Sequence, residues 1–191
     1  MAVDDRTLRA DARRNRERLV AAGREAFSVH GVDAPMDEVA RRAGVGPGTL
    51  YRHFPTREAL LLAVYRSDVD TIAERARALA AELPPMEALE AWFREQLAYI
   101  SDRRGVGAAI KKMLISETET LDYCRDTMRG AAGLLLARAQ EAGVVRDDLE
   151  PPTVLRLVHA VGVASETAPE QAQVMLAVVL DGLRPAPGTA S

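Results

Sequence analysis

Apolar residues recur three and four positions apart along almost the whole chain, in stripes broken by Gly and Pro, and this spacing sets the strongest constraint on its fold. A 3.6-residue period puts such positions on one helix face. No segment shows the sustained period-2 alternation of β-branched and aromatic residues that a half-buried strand needs. The chain is therefore predicted to be all-α, with about nine helices. Leu19, Gly23, Ala26 and Phe27 form a first stripe, ended at His30-Gly31, where glycine supplies a left-handed cap. Pro35 suits a first helical position, and Val39, Ala40 and Ala43 face inward until Gly44 stops a short second helix. A third spans residues 47–53. Thr56 is placed to cap a long helix bearing Leu60, Val64, Ile72, Ala76, Leu79 and Leu83, closed by Pro84-Pro85.

Met86, Leu89, Phe93, Leu97 and Ile100 mark a fifth helix, and Gly105 and Gly107 separate it from a short apolar run at residues 108–115. Ser116 to Glu119 fits a capping box, opening a helix with Cys124, Met128, Ala131, Leu135, Leu136 and Ala139. Gly143 and the acidic loop at residues 147–150 close it. Pro151-Pro152 opens the next, with Val154, Leu157, Val158 and Val161, and Pro169 breaks it. A final stripe holds Ala172, Met175, Leu176, Val179, Leu180 and Leu183. Residues 1–9 and 186–191 read as disordered tails.

With 191 residues, 48% of them hydrophobic, the chain can bury real cores. No run approaches the roughly 18 apolar residues of a membrane span, and the first 19 residues are dominated by Arg and Asp, so a cytoplasmic protein is expected. One cysteine, Cys124, and three scattered histidines leave no disulfide, no metal-ligand spacing and no converging nucleophile and base. Neither catalysis nor a cofactor is expected. The net charge of -3 hides an asymmetry: residues 1–66 carry 12 Arg against 9 acidic residues, a balance of +3, and the remainder carries -6. A basic head sits on an acidic body.

The segment from Met36 to His53 has the composition of a helix-turn-helix. Two helices crossing through a short turn need a small residue at their contact, a residue tolerant of positive φ, and apolar pins on both sides. Ala40, Gly44, and the set Val39, Val45 and Leu50 supply these. Thr49, Tyr51, Arg52 and His53 then offer polar and planar groups for base edges. A short helical hairpin inside a bundle has similar spacing, and the longer string from Ala43 to Leu61, with its Tyr-Arg-His-Phe run, carries the distinction. It resembles the most recognisable segment of the TetR family of regulators. The Arg103 to Gly107 break and the Asp147 to Pro152 entry are similar to the SbtR-type branch.

The resemblance implies a helix-turn-helix DNA-binding domain at residues 10–66 and an effector-binding and dimerisation domain at residues 67–185. It places Gly46, Pro47, Gly48, Thr49, Tyr51, Arg52 and His53 on the recognition helix and its approach, with Arg57 as a phosphate-binding cation. Family members commonly carry Thr or Ser at the start of the second helix to touch phosphate; this chain has Pro35-Met36, which leaves that contact open. Arg6, Arg9, Arg13, Arg14, Arg16 and Arg18 form either a DNA-tracking arm or a solvated leader alternating with acidic residues.

For the body, the resemblance implies a small-molecule pocket and pairing of the last two long helices. Trp92, Phe93, Tyr99, Met113, Tyr123, Cys124, Met128 and His159 are the pocket candidates, though each such residue is more often plain core. Lys111 and Lys112 form a basic spot that suits an anionic effector or plain solvent. Leu157, Val161, Ala164, Ala172, Met175, Leu176, Val179 and Leu183 are the dimer candidates, against closure of the monomer's own core. The expected partners are double-stranded operator DNA, a second copy and an unknown small-molecule effector, with no membrane. The expected role is a repressor released by that effector. A helical ligand carrier with a merely structural hairpin, or an activator, are the alternatives.

Overall fold

The computed structural model describes residues 5–102, 110 and 118–185. Among these lie eight α-helices and two short 3-10 turns, with no strand. The helices are α1 (Asp5–His30), α2 (Met36–Arg42), α3 (Pro47–His53), α4 (Arg57–Glu82), α5 (Pro85–Asp102), α6 (Thr118–Glu141), α7 (Pro151–Ala164) and α8 (Ala172–Leu183). The expected short helix at residues 108–115, the Ser116 end of the capping box, Arg103, Arg104, Lys111, Lys112 and Met113, and the tail at residues 186–191 lie outside the described residues, Ile110 apart.

The chain divides into two compact units, with the boundary between Asp68 and Val69 inside α4 rather than at residue 66. Ile110 and residues 118–120 also belong to the first unit.

In the first unit, α1 buries Leu19, Val20, Ala22, Gly23, Ala26 and Phe27, one face at helical spacing. It begins at Asp5, so residues 5–9, expected as a tail, are helical. Helix-favouring Arg6, Leu8 and Arg9 make up three of those five residues, and the following turns are braced by the Asp11–Arg14 and Arg13–Glu17 pairs. At Gly23, an added Cβ would come within 3.2 Å of three Leu60 carbons, so glycine lets α1 and α4 approach closely. The same two helices are joined by Arg24, whose Nε donates to Asp68 at 2.6 Å and whose Nη2 donates to Ser67 at 3.0 Å.

The second unit surrounds Trp92 and Phe93, both with no exposed surface. Ala73, Ala76 and Leu79 of α4, Leu89 and Leu97 of α5, Leu135 and Leu136 of α6, Val154 and Val158 of α7, and Leu176 and Leu180 of α8 complete this core. Trp92 satisfies its one polar atom by donating from Nε1 to the Ile72 carbonyl at 3.0 Å. Pro85, read in the sequence as part of a stop, is the first residue of α5, a position where the missing N–H costs nothing. At Gly162 the α5–α7 contact is so tight that a Cβ would lie 2.7 Å from Ile100 Cδ1.

Candidate functional site

The helix-turn-helix is built by two terminations. Helix α2 ends on Gly44 at φ 64°, and the Val45 amide reaches back to the Ala40 carbonyl at 3.0 Å. Extended Gly46 then caps α3, its carbonyl accepting from the Thr49 and Leu50 amides at 2.9 and 3.2 Å, and Pro47 fills the first helical position. Leu50 is fully buried and pins α3 to its domain. Thr56 caps α4 as expected, its Oγ1 accepting from the Ala59 amide at 3.1 Å.

With Leu50 inward, Tyr51 is left 47% exposed, Arg52 is exposed, and Thr49 and His53 are half-buried. Arg52 folds back along the helix, donating to the Gly48 carbonyl at 3.1 Å and to Thr49 Oγ1 at 3.3 Å. Gly46 and Gly48 face open space, so their lack of a side chain serves no packing inside the domain. Just past α3, Phe54 is buried beneath the Arg16 guanidinium, 5.3 Å from its ring centre. The Arg57 guanidinium lies 3.8 Å from exposed Asp33, and its Nε is buried with no hydrogen-bond partner among the described residues.

A charge cluster braces the back of α2. Glu38 accepts from Arg42 at 2.7 Å and lies 3.3 Å from His30, and Arg42 reaches Glu25 at 3.4 Å. The Arg42 hydrogen bond holds the Glu38 carboxyl below its ordinary pKa, and the charges of Arg42, His30 and Arg41 act in the same direction.

In the second unit a groove of about 810 Å³ opens between α4 and α6. Its α4 wall carries Asp70, Glu74 and Arg77, and its α6 wall carries Tyr123, Asp126 and Leu134. The Tyr123 hydroxyl donates to Asp70 at 2.5 Å across it. Of the expected pocket residues that are described, only Tyr123 lines this groove. Trp92, Phe93 and Cys124 are buried in packing, Tyr99 and Met128 are half-buried, and His159 is exposed on α7. Asp70, Glu74 and Asp126 are missing from the expected set, which favoured apolar and adaptable side chains. On α4 the signal was a polar face, Asp70, Glu74 and Arg77 at i, i+4 and i+7, on a helix that also carries a core stripe.

The expected dimer residues also divide. Val161, Leu176 and Leu183 belong to the core of their own unit, and Ala172, Met175 and Val179 are half-buried. Leu157 and Ala164 are exposed on α7, as is Val163 at 48%, and Val174 and Val178 are exposed on α8 at 65% and 68%.

A tri-helical unit with a pinned, outward-facing α3 is a DNA-reading module, and the protein is of the helix-turn-helix regulator class. Residues 19–64 match the tetR family of bacterial regulatory proteins, and residues 84–185 match the SbtR-like transcriptional regulator C-terminal domain. The TetR transcriptional regulator SCO0520 from Streptomyces coelicolor is 38% identical, with a TM-score of 0.75 over 90% of this chain and 99% of that one. A TetR regulatory protein from Mycobacterium vanbaalenii is 35% identical, with a TM-score of 0.70 over 93% and 99%. An HTH-type transcriptional regulator of Staphylococcus aureus is 38% identical over 64 residues, 33% of this chain, and the chain spans only 35% of that relative's length. The chain belongs to the TetR family of DNA-binding transcriptional regulators. No helix among the described residues is long and apolar enough to cross a membrane.

Proposed function

We propose that the protein is a dimeric repressor that binds a palindromic operator and is released by a small-molecule effector. The observation that carries this reading is the pairing of an exposed α3 with an uncovered apolar face on α7 and α8 in the same chain. One helix-turn-helix reads too few base pairs for useful specificity, and two copies related by a two-fold axis read half-sites about 34 Å apart. Leu157, Val163, Ala164, Val174 and Val178 form the seam, a surface that water would otherwise cover at a cost.

On DNA, Tyr51 and Arg52 reach base edges, and Thr49 and His53 flank them. Arg52 exchanges its internal hydrogen bonds for a guanine. The bare backbone at Gly46 and Gly48, on either side of Pro47, lets the sugar-phosphate chain approach closely, and Arg57 exchanges its weak pairing with Asp33 for a phosphate. The α4–α6 groove holds the effector, a partly apolar molecule bearing a hydrogen-bond donor or positive charge for Asp70, Glu74 and Asp126. Arg57 and these α4 carboxylates stand on one unbroken helix, so a ligand that shifts α4 disturbs the phosphate contact.

The test starts from duplexes that the wild-type protein selects out of a randomised pool. Candidate effectors are titrated by Trp92 emission with and without a selected duplex. A working switch weakens DNA and effector binding reciprocally, by a coupling of about 1 to 3 kcal/mol. Equal effector affinities in the two series rule out induction, and a promoter reporter that loses expression without the protein rules out repression.

A further inference from the structure

We infer that the N-terminal half of α1 is a second DNA-contacting surface, an arginine stripe that lies along backbone phosphates flanking the bases read by α3. The inference rests on the DNA-binding reading above and extends it to a separate element. Arg9, Arg13 and Arg16 follow one another at intervals of four and three residues, which puts them on one face of the helix. The sequence continues the same spacing back to Arg6.

Two contacts fix where this stripe starts. The Arg16 guanidinium lies over Phe54, the residue that ends α3. Two residues on, Arg18 reaches the helix-turn-helix turn, where its Nη1 would be 3.6 Å from a Cβ on Gly44. Helix α1 therefore passes against both ends of the reading segment, and Arg13 and Arg9 lead away from it over a rise of about 10 Å. The acidic residues between Arg9 and Arg18 do not cancel the stripe. Asp11 is paired with Arg14, on another face, and Glu17 is 3.7 Å from Arg13 with the two side chains 65% and 76% exposed. A solvated pair of that kind contributes little and is readily exchanged for phosphate.

The helical state also decides how the stripe meets DNA. An extended arm can thread the minor groove, but a helix of about 10 Å diameter cannot enter a groove about 6 Å wide. The stripe must lie across the backbone, where it adds affinity and salt dependence without reading sequence.

The test compares wild type, Arg9→Gln/Arg13→Gln and Arg9→Lys/Arg13→Lys on duplexes selected by the wild type from a randomised pool, with full and trimmed flanks. The Gln pair is expected to weaken binding about tenfold and to reduce the slope of log affinity against log salt by about 2 per bound chain. It should keep the wild-type sequence preference and lose nothing more when the flanks are trimmed, and the Lys pair should behave as wild type. An unchanged slope in the Gln pair, or an altered base preference, overturns the inference alone. Failure of the wild type to select any sequence overturns the DNA reading with it.

Discussion

Arg52 Nε donates to the carbonyl oxygen of Gly48, one helical turn back, so the main base-reading candidate is held against its own helix. Reading a base costs that bond, and the bidentate guanine contact must exceed it. Arg52→Ala should therefore relax preference at one base pair, at a cost of about 1 to 3 kcal/mol, and leave thermal stability nearly unchanged. Arg57→Ala should instead weaken all duplexes alike and flatten the salt dependence. Binding-site selection with both variants at several salt concentrations distinguishes the two roles, and an unaltered preference for Arg52→Ala removes it from base reading.

The seam on α7 and α8 gives a second prediction. Val174→Asp/Val178→Asp should fold, because both residues point outward, yet fail to pair, because each charge would enter an apolar interface unpartnered. Light scattering should report a monomer with native helicity and lost operator binding. Leu176→Asp is a different experiment, since Leu176 is only 1% exposed and the charge would enter the unit's own core. A clean dimer for the valine double variant places the interface elsewhere.

Gly162→Ala sets two effects against each other. Alanine gains up to about 1 kcal/mol in helix propensity over glycine. The new methyl meets Ile100 Cδ1 at 2.7 Å, Cγ2 at 2.9 Å and Cβ at 3.2 Å, and the last cannot move without its backbone. Overpacking costs about 1 to 3 kcal/mol, so a net loss of stability is expected. Melting temperatures should fall for Gly162→Ala in the wild-type background and fall less in an Ile100→Ala background. An equal drop in both would show that Ile100 is not the obstruction.

Acid should loosen the back of the DNA-binding unit. The Arg42 hydrogen bond lowers the Glu38 pKa in the folded chain, so this pair stabilises fully above the unfolded carboxylate value, and its contribution is lost as pH falls through the lowered folded value. Glu38→Gln should accordingly melt below wild type at neutral pH, and the gap should close in acid, below the ordinary value of 4.5. A gap constant with pH would mean that the carboxylate charge contributes nothing.

The reading head was legible in the sequence because its determinants are local. Gly44 at positive φ, Pro47 at the first turn of α3 and Thr56 as a cap act within a few residues of where they stand. The α4–α6 groove was not legible, because size and aromatic character do not say which large side chains line a cavity. Trp92 and Phe93 went to the core, where they bury the most apolar area, and the groove fell to polar residues on α4 and α6. The outward face of α8 was hidden for another reason. Helix α8 is apolar nearly all round, so periodicity could not tell Val174 and Val178, facing out, from Leu176 and Leu180, facing in.

The amide of Arg146, in the loop after α6, donates to the Leu183 carbonyl at the end of α8 at 2.9 Å. Gln140 holds the same loop by donating to the Arg146 and Leu149 carbonyls, each at 3.0 Å. The last turn of α8 is thereby tied to the turn between two earlier helices. Opening α8 breaks the Arg146 bond, and the loop then loses one of its fixed ends. Under native-state hydrogen exchange the Arg146 amide should open with α8 as one cooperative unit, at the same free energy as the interior amides of that helix, and not with the fraying ends to which its position in the chain would assign it.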